Sequence, residues 1–165
     1  MVDRDILAKL KSLHFEPTAS GDYLDQLASI AEYEEFPANA FIFREGDTPS
    51  HLYLVIDGQV SLEFRIPGHT PKRIHTVGSA ELLGWSPALG KERMTATART
   101  ITPTKTIKIG GSQLLALCEH NTRFGYEFMR RTSLALARRL DATRLQMLDV
   151  YRDEIPDAPI QDTAS

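Results

Sequence analysis

The histidines, the cysteine and any motif built around serine are the first places to look for metal or nucleophilic chemistry. None of the histidines forms a His-x-His pair; the five are His14, His51, His69, His75 and His120. A catalytic metal needs several such ligands around one open coordination position. Gly-x-Ser-x-Gly, phosphate-loop and Cys-x-x-Cys motifs are also missing. We therefore predict no catalytic residues and no metal site, and keep a metal-dependent barrel enzyme only as the third alternative.

Composition and charge are those of an ordinary folded domain. The chain has 165 residues, of which 42% are apolar and 25% charged, and its net charge is -3. This balance does not favour nucleic-acid or membrane-surface binding. The single cysteine, Cys118, cannot form an intrachain disulfide and lies in an apolar run, as a small buried side chain does. The start, Met1–Asp5, is charged and no apolar run approaches ~20 residues, so we expect a soluble cytoplasmic protein without membrane contact.

Helical periodicity near the start predicts that residues 3–36 form a helical N-terminal region. Asp3 or Asp5 can cap a first helix whose apolar residues fall on one face. Proline and glycine at residues 17–21 interrupt this pattern. A second helix is expected to open at Asp22.

Beyond the helical region the apolar period changes to two, which is typical of strands. The predicted strands are Phe41–Phe43, His51–Ile56, Val60–Ile66, Lys72–Val77, Thr95–Thr100 and Lys105–Ile109. Asp57-Gly58 is a hairpin signal between two of them. Short strands separated by turns indicate an all-β barrel or sandwich over residues 37–110.

The third of these strands alternates most clearly. One set of side chains is apolar: Val60, Leu62, Phe64 and Ile66. The other set is polar: Ser61, Glu63 and Arg65. The pattern predicts one buried face and one face in contact with water.

Helical periodicity returns after the barrel, and residues 111–152 are expected to form the C-terminal helices. Ser112 can cap a short helix, and a long helix opens at Asn121 or Thr122 and runs to about Tyr151. Residues 153–165 are polar and contain two prolines, which predicts a flexible tail. We therefore expect residues 1–152 to form a single domain.

Two stretches carry a resemblance to a known superfamily. They are Phe43-Arg44-Glu45-Gly46-Asp47 and His51-Leu52-Tyr53-Leu54-Val55-Ile56-Asp57-Gly58-Gln59-Val60. Together they resemble the conserved stretch of cyclic nucleotide-binding domains, over roughly residues 20–150. The resemblance implies a mainly β fold with flanking helices. This fold is a double-stranded β-helix, or jelly-roll barrel, between N-terminal helices and a long C-terminal helix.

The resemblance also locates a candidate ligand site. In the superfamily a phosphate-binding cassette reads approximately Phe-Gly-Glu, a short helix, then Arg-Thr-Ala. Helix N–H groups and the arginine hold the cyclic phosphate, and the glutamate binds the ribose. Here Trp85 stands in place of the glutamate and Met94 in place of the arginine, and Pro87 removes a helix donor. The candidate pocket carried over by this match consists of Gly84, Trp85, Ser86, Ala88, Arg93, Met94 and Thr95.

Two features of the altered cassette leave alternatives open. Arg93 adjoins Met94 and points to the opposite face in a regular strand, but a one-residue bulge would turn it inward. The second hypothesis is therefore a genuine cyclic nucleotide sensor that uses Arg93. Trp85 either stacks on a ligand ring or fills the vacated ribose site.

The Gly-Trp-Ser form of the cassette resembles stand-alone bacterial members that lack the glutamate and arginine. One such barrel is similar to the accessory subunit of soluble NAD-reducing hydrogenases. This resemblance implies a regulatory, non-enzymatic module. Such a module could be an accessory subunit of an enzyme complex. Its barrel would bind neither cAMP nor cGMP. No cofactor is assigned, and a nucleotide such as NAD(P)(H) is an open candidate ligand.

The long C-terminal helix carries a heptad-like seam. Its partner-facing candidates are Tyr126, Met129, Leu136, Leu140 and Met147. The seam predicts a homodimer or a larger protein complex, the alternative being that the same face packs on its own barrel. Transcriptional relatives follow this helix with a helix-turn-helix, whereas 14 residues follow Tyr151 here, so we expect no direct DNA binding.

Overall fold

The computed structural model describes residues 3–12 and 21–152. Helix α1 spans Arg4–Ser12 and helix α2 spans Gly21–Ser29. Asp3 caps α1, because its Oδ1 accepts hydrogen bonds from the backbone N–H groups of Asp5 (2.9 Å) and Ile6 (3.3 Å). The predicted break at residues 17–21 lies outside the described residues except at its last position.

The prediction of helix through residue 36 is wrong for its last six residues. Residues Ala31–Phe36 form strand β1, which pairs antiparallel with the last strand of the barrel along its whole length. Aromatic residues such as Tyr33 and Phe36 favour strands. Pairing with a distant strand outweighs the weak helical preference of this segment, and that partner is not visible in the local pattern.

The described chain contains seven further strands. They are β2 (Phe41–Phe43), β3 (His51–Asp57), β4 (Val60–Phe64), β5 (Lys72–Val77), β6 (Leu82–Leu83), β7 (Thr97–Thr100) and β8 (Thr104–Gly110). Together with β1 they form two antiparallel four-stranded sheets, ordered β1-β8-β3-β6 and β2-β7-β4-β5. Both sheets contribute to one apolar core, made of Tyr53, Val55, Val60, Leu62, Val77, Leu83 and Ala98. The predicted mainly β barrel fold is confirmed.

The alternation predicted for β4 is only half right. Val60 and Leu62 face the core, but Ser61 and Glu63 are also buried, at 1% and 5% exposure. Phe64 and Ile66, predicted to be buried, are 37% and 40% exposed. The polar face is shielded from solvent, and Arg99 of the neighbouring strand β7 pairs with Glu63 there.

Two helices follow the barrel: α3 (Gly111–His120) and α4 (Thr122–Arg152). Gly110, not Ser112, occupies the N-cap of α3, and no side chain caps it, so that prediction is wrong. Asn121 precedes α4, where its Oδ1 accepts the Phe124 N–H (3.1 Å) and its Nδ2 donates to Gln26 (2.9 Å).

The chain divides into two compact units, one ending at Gly125 and one beginning at Tyr126. The predicted flexible tail, residues 153–165, lies outside the described residues. Among the helices of the described chain, none is both long enough and apolar enough to cross a membrane.

Candidate functional site

The site begins at a glycine that no other residue could replace without strain. Gly84 follows β6 and is buried, with a positive φ of 79°. A Cβ at this position would lie 3.0 Å from the His51 carbonyl oxygen and 3.3 Å from the Phe43 ring. The Gly84 backbone therefore runs directly against the start of β3.

The cassette that follows is a compact turn and not a helix. Its backbone closes on Trp85, whose carbonyl accepts the N–H groups of Ala88 (3.0 Å) and Leu89 (3.2 Å). The Lys91 N–H donates to the Ser86 carbonyl (3.0 Å). Ser86 and Ala88 are buried, at 7% and 4% exposure. A single tight turn offers fewer free N–H groups to an anion than the first turn of a helix would.

Pro87 lies in this turn and packs against the start of the helix that follows the barrel. A Cβ on Gly111, the first residue of α3, would overlap the Pro87 side chain. The Gly111 N–H also donates to the Ser50 carbonyl (2.8 Å). The cassette turn therefore lies in direct contact with the start of α3.

Trp85 carries an unsatisfied polar atom. Its side chain is half-buried, and the indole Nε1 is shielded from solvent without a hydrogen-bond partner among the described residues. A buried donor left unpaired costs about 1–3 kcal/mol. The Trp85 N–H is thus a shielded donor that none of the described residues satisfies.

The side chains of Arg93 and Met94 occupy opposite environments. Backbone hydrogen bonds join Met94 to the β2–β3 turn, from its N–H to the Asp47 carbonyl (2.9 Å) and from the Gly46 N–H to its carbonyl (2.8 Å). Met94 is buried, at 4% exposure, whereas Arg93 is exposed. Arg93 Nη1 donates to the Gly46 carbonyl (3.3 Å). The arginine is therefore engaged on the surface, and the position beside it is occupied by an apolar side chain.

The predicted pocket residues thus lie in two segments. Gly84, Trp85, Ser86 and Ala88 form one turn, and Arg93, Met94 and the exposed Thr95 follow it. Phe43 is near Gly84, and the turn that follows Phe43 binds Met94. Both segments therefore border the end of β2.

A charged cluster on the second sheet was missed by the sequence reasoning. Glu63 Oε1 pairs with Arg99 Nη2 at 2.8 Å and accepts the Ser61 hydroxyl at 2.9 Å. Arg99 also donates to Asn39 Oδ1 (3.3 Å). The available signal was a glutamate on one predicted strand and an arginine on another, but only their register brings them together.

Burial raises the pKa of Tyr53 and of Cys118. Burial, together with the Glu34 carboxylate, raises the pKa of Tyr53 to about 12. Burial and the adjacent Glu119 also raise the pKa of the Cys118 thiol, which favours its protonated, unreactive form. No group of three or more His, Cys, Asp or Glu side chains suited to a metal ion occurs in residues 3–12 and 21–152.

Known proteins resemble this chain in both sequence and fold. The model of the cyclic nucleotide-binding domain family matches residues 33–121, more than half of the chain. A CRP-like cAMP-activated global transcriptional regulator of Mycobacterium tuberculosis is 24% identical over 141 residues, or 86% of this chain. The chain spans 59% of the length of that regulator.

Solved structures share the barrel at lower identity, which establishes the fold alone. A cyclic nucleotide-binding domain from Methylobacillus flagellatus superposes with a TM-score of 0.76 at 19% identity, covering 95% of this chain and 86% of its own. The regulatory subunit of a cAMP-independent protein kinase A from Trypanosoma cruzi, bound to guanosine, gives a TM-score of 0.59 at 19% identity. That match covers 79% of this chain and 50% of the kinase subunit.

Barrel, cassette position and helices together define a domain of the cyclic nucleotide-binding type. The chain belongs to the cyclic nucleotide-binding domain family. The expected superfamily is therefore confirmed. The curated relatives that the chain matches include CRP-like cAMP-activated transcriptional regulators and a potassium channel.

Proposed function

We propose that this chain is a non-enzymatic regulatory module whose barrel does not bind cAMP or cGMP. The proposal depends on one observation: Met94 is buried, whereas Arg93 donates a hydrogen bond to the Gly46 carbonyl. Each charged hydrogen bond to a ligand contributes about 1.5–3 kcal/mol. Without the arginine and the glutamate, cyclic nucleotide affinity is expected to fall by roughly a hundredfold or more, at ~1.4 kcal/mol per tenfold.

The ligand we propose for the altered cassette is a nucleoside-like molecule with no phosphate at the Met94 position. Met94 would leave a phosphate unpaired, and the Trp85 N–H lacks an acceptor among the described residues. The guanosine-bound kinase subunit supports this ligand class as a precedent within the fold. A dinucleotide such as NAD(H) or NADP(H) is compatible if its phosphates lie away from Met94.

We further propose that the module acts through a protein partner, as a homodimer or as an accessory subunit of a larger complex. The apolar seam of α4 supports this part of the proposal. Three of its five predicted partner residues are more than half exposed: Tyr126 (67%), Leu140 (56%) and Met147 (53%). Met129 and Leu136 are half-buried.

Calorimetric titration of cAMP, cGMP, guanosine, adenosine, NAD(H) and NADP(H) into the purified chain tests the ligand proposal. Tryptophan fluorescence adds a local signal, since Trp85 is the only tryptophan. We expect cAMP and cGMP to bind at least a hundredfold more weakly to the native chain than to Trp85→Glu/Met94→Arg, which restores both missing side chains. A Trp85→Phe/Met94→Leu variant is the control, because it changes both positions without adding charge.

The second hypothesis, a cyclic nucleotide sensor that uses Arg93, has a separate outcome. Tight cAMP binding by the native chain that is lost in Arg93→Ala would replace our proposal with this one. Tight binding that survives Arg93→Ala would contradict both hypotheses, because neither provides another phosphate partner.

A further inference from the structure

The hairpin that joins β4 and β5 is cationic within an acidic protein. The whole chain carries a net charge of -3, yet residues 64–80 contain no aspartate or glutamate. The same stretch contains three cations, Arg65, Lys72 and Arg73. The positive charge of this hairpin is therefore not balanced by its own sequence.

Nearby carboxylates do not balance this charge either. Glu63, paired with Arg73 in the strand register, is engaged with Arg99. Glu45 binds the backbone N–H of Arg65 (3.0 Å) and forms no ion pair with its guanidinium. Within the described part of the chain, neither Lys72 nor Arg73 forms a salt bridge. An anion that docks here would not have to displace an internal partner.

The same hairpin has an apolar concave surface. A cavity of about 460 Å³ is lined by Ile66, His69, Thr70, Pro71 and Lys72. Phe64 and Ile66 expose more than a third of their surface. Apolar side chains beside cationic ones at an exposed hairpin are features of a protein-binding surface more than of a solvated turn.

We infer that the β4–β5 hairpin surface, residues 64–73, binds an acidic peptide segment of a partner protein that carries one bulky apolar side chain. The apolar side chain would enter the cavity beside Ile66 and Pro71. Its flanking carboxylates would pair with Lys72 and Arg73. A nucleic acid is the weaker candidate, because three cations on a net acidic chain are few for a polyanion and the cavity is apolar.

Fluorescence polarisation with the full chain tests this inference. The probe is a panel of labelled peptides with two aspartates or glutamates on each side of a central Leu, Ile, Phe or Trp. Control peptides replace either the acidic residues with amides or the central residue with serine. We expect at least one acidic-apolar peptide to bind about tenfold more tightly than both of its controls, and to weaken as salt is raised.

Two chain variants locate the binding. Lys72→Glu/Arg73→Glu is expected to weaken the best peptide by about tenfold or more. Arg4→Glu/Lys11→Glu is the matched control on helix α1, with the same change in charge, and is expected to bind as the native chain does. Circular dichroism and thermal melting show that both variants are folded.

Several results would overturn the inference. The first is that no peptide of the panel binds more tightly than its controls. The second is that both charge variants weaken binding equally. The third is that duplex DNA or anionic vesicles bind more tightly than the peptides at the same salt. Ile66→Ser gives an independent check, since it should weaken the apolar peptides and leave the serine control peptides unchanged.

Discussion

At the residue scale, two glycines in turns differ in one respect. The turn at Gly58 is not the predicted hairpin, because β3 and β4 belong to different sheets. Gly58 (φ 102°) and Gly68 (φ 77°) both adopt a backbone conformation that disfavours side chains. A Cβ at Gly58 would lie 2.6 Å from the Pro103 carbonyl oxygen, whereas nothing lies within 4 Å at Gly68. Conformational strain is therefore common to both, and steric overlap affects Gly58 alone.

We expect Gly68→Ala to lower the free energy of unfolding by about 1 kcal/mol, the cost of the left-handed conformation. Gly58→Ala should cost about 2–4 kcal/mol, because the overlap with a backbone carbonyl adds to the strain. Urea denaturation of both variants measures the difference. Equal losses would mean that the backbone at Pro103 moves aside without cost.

Residue-level patterns predict side-chain direction only where neighbours in sequence decide it. Arg93 and Met94 have the opposite burial expected from the sequence, although both precede strand β7 and lie in no strand. The same rule fails at Ser61 and Glu63, because a residue of another strand decides their environment. The orphaned Trp85 N–H was also beyond prediction, since burial of a single atom depends on packing.

At the scale of the elements, strands β4 and β7 are joined by a buried charge. Glu63 is 5% exposed and depends on Arg99 and Ser61 for its hydrogen bonds. Arg99 is more exposed, at 38% of its side chain. Loss of the arginine therefore leaves a buried carboxylate unpaired, while loss of the carboxylate leaves an arginine that water can solvate.

We expect Arg99→Met to destabilise the domain by about 2–3 kcal/mol. The double variant Glu63→Gln/Arg99→Met should recover at least half of that loss, because no buried charge remains. Guanidinium denaturation of the two single variants and the double variant forms the cycle. Additive losses would argue against the pairing as the source of the cost.

The sequence predicts a strand or helix best when the residues that determine it lie within it or close to it in the chain. Strands β2 and β5 and the extent of α4 follow from periodicity and turns. Strand β1 does not, since it exists through its pairing with β8, about seventy residues along the chain. Cassette residues were identified by resemblance, and their turn geometry required the structure.

At the scale of the whole molecule, the distal part of α4 leaves large apolar side chains in solvent. Leu145, Leu148 and Val150 are each more than 60% exposed, in addition to the seam residues Leu140 and Met147. Burying such side chains is worth about 1.5–3 kcal/mol each. We therefore expect the chain to associate through this helix.

Leu140→Glu/Met147→Glu is predicted to convert an associated species into a monomer, because it places two charges in the seam. Ala135→Glu/Ala142→Glu is the control, since both alanines are exposed and lie off the seam. Sedimentation velocity distinguishes the forms. A native chain that sediments as a monomer at high concentration would refute self-association and leave a different partner protein as the occupant of the seam.

The contact between Pro87 and Gly111 has a mechanical consequence. The absence of a Cβ at Gly111 is what allows the proline ring to lie so close to the first turn of α3. A ligand that displaced the cassette turn by even a few tenths of an ångström toward α3 would have to shift the first turn of that helix. If a ligand displaces this turn, we expect the displacement to reach the start of α3 through the contact between Pro87 and Gly111.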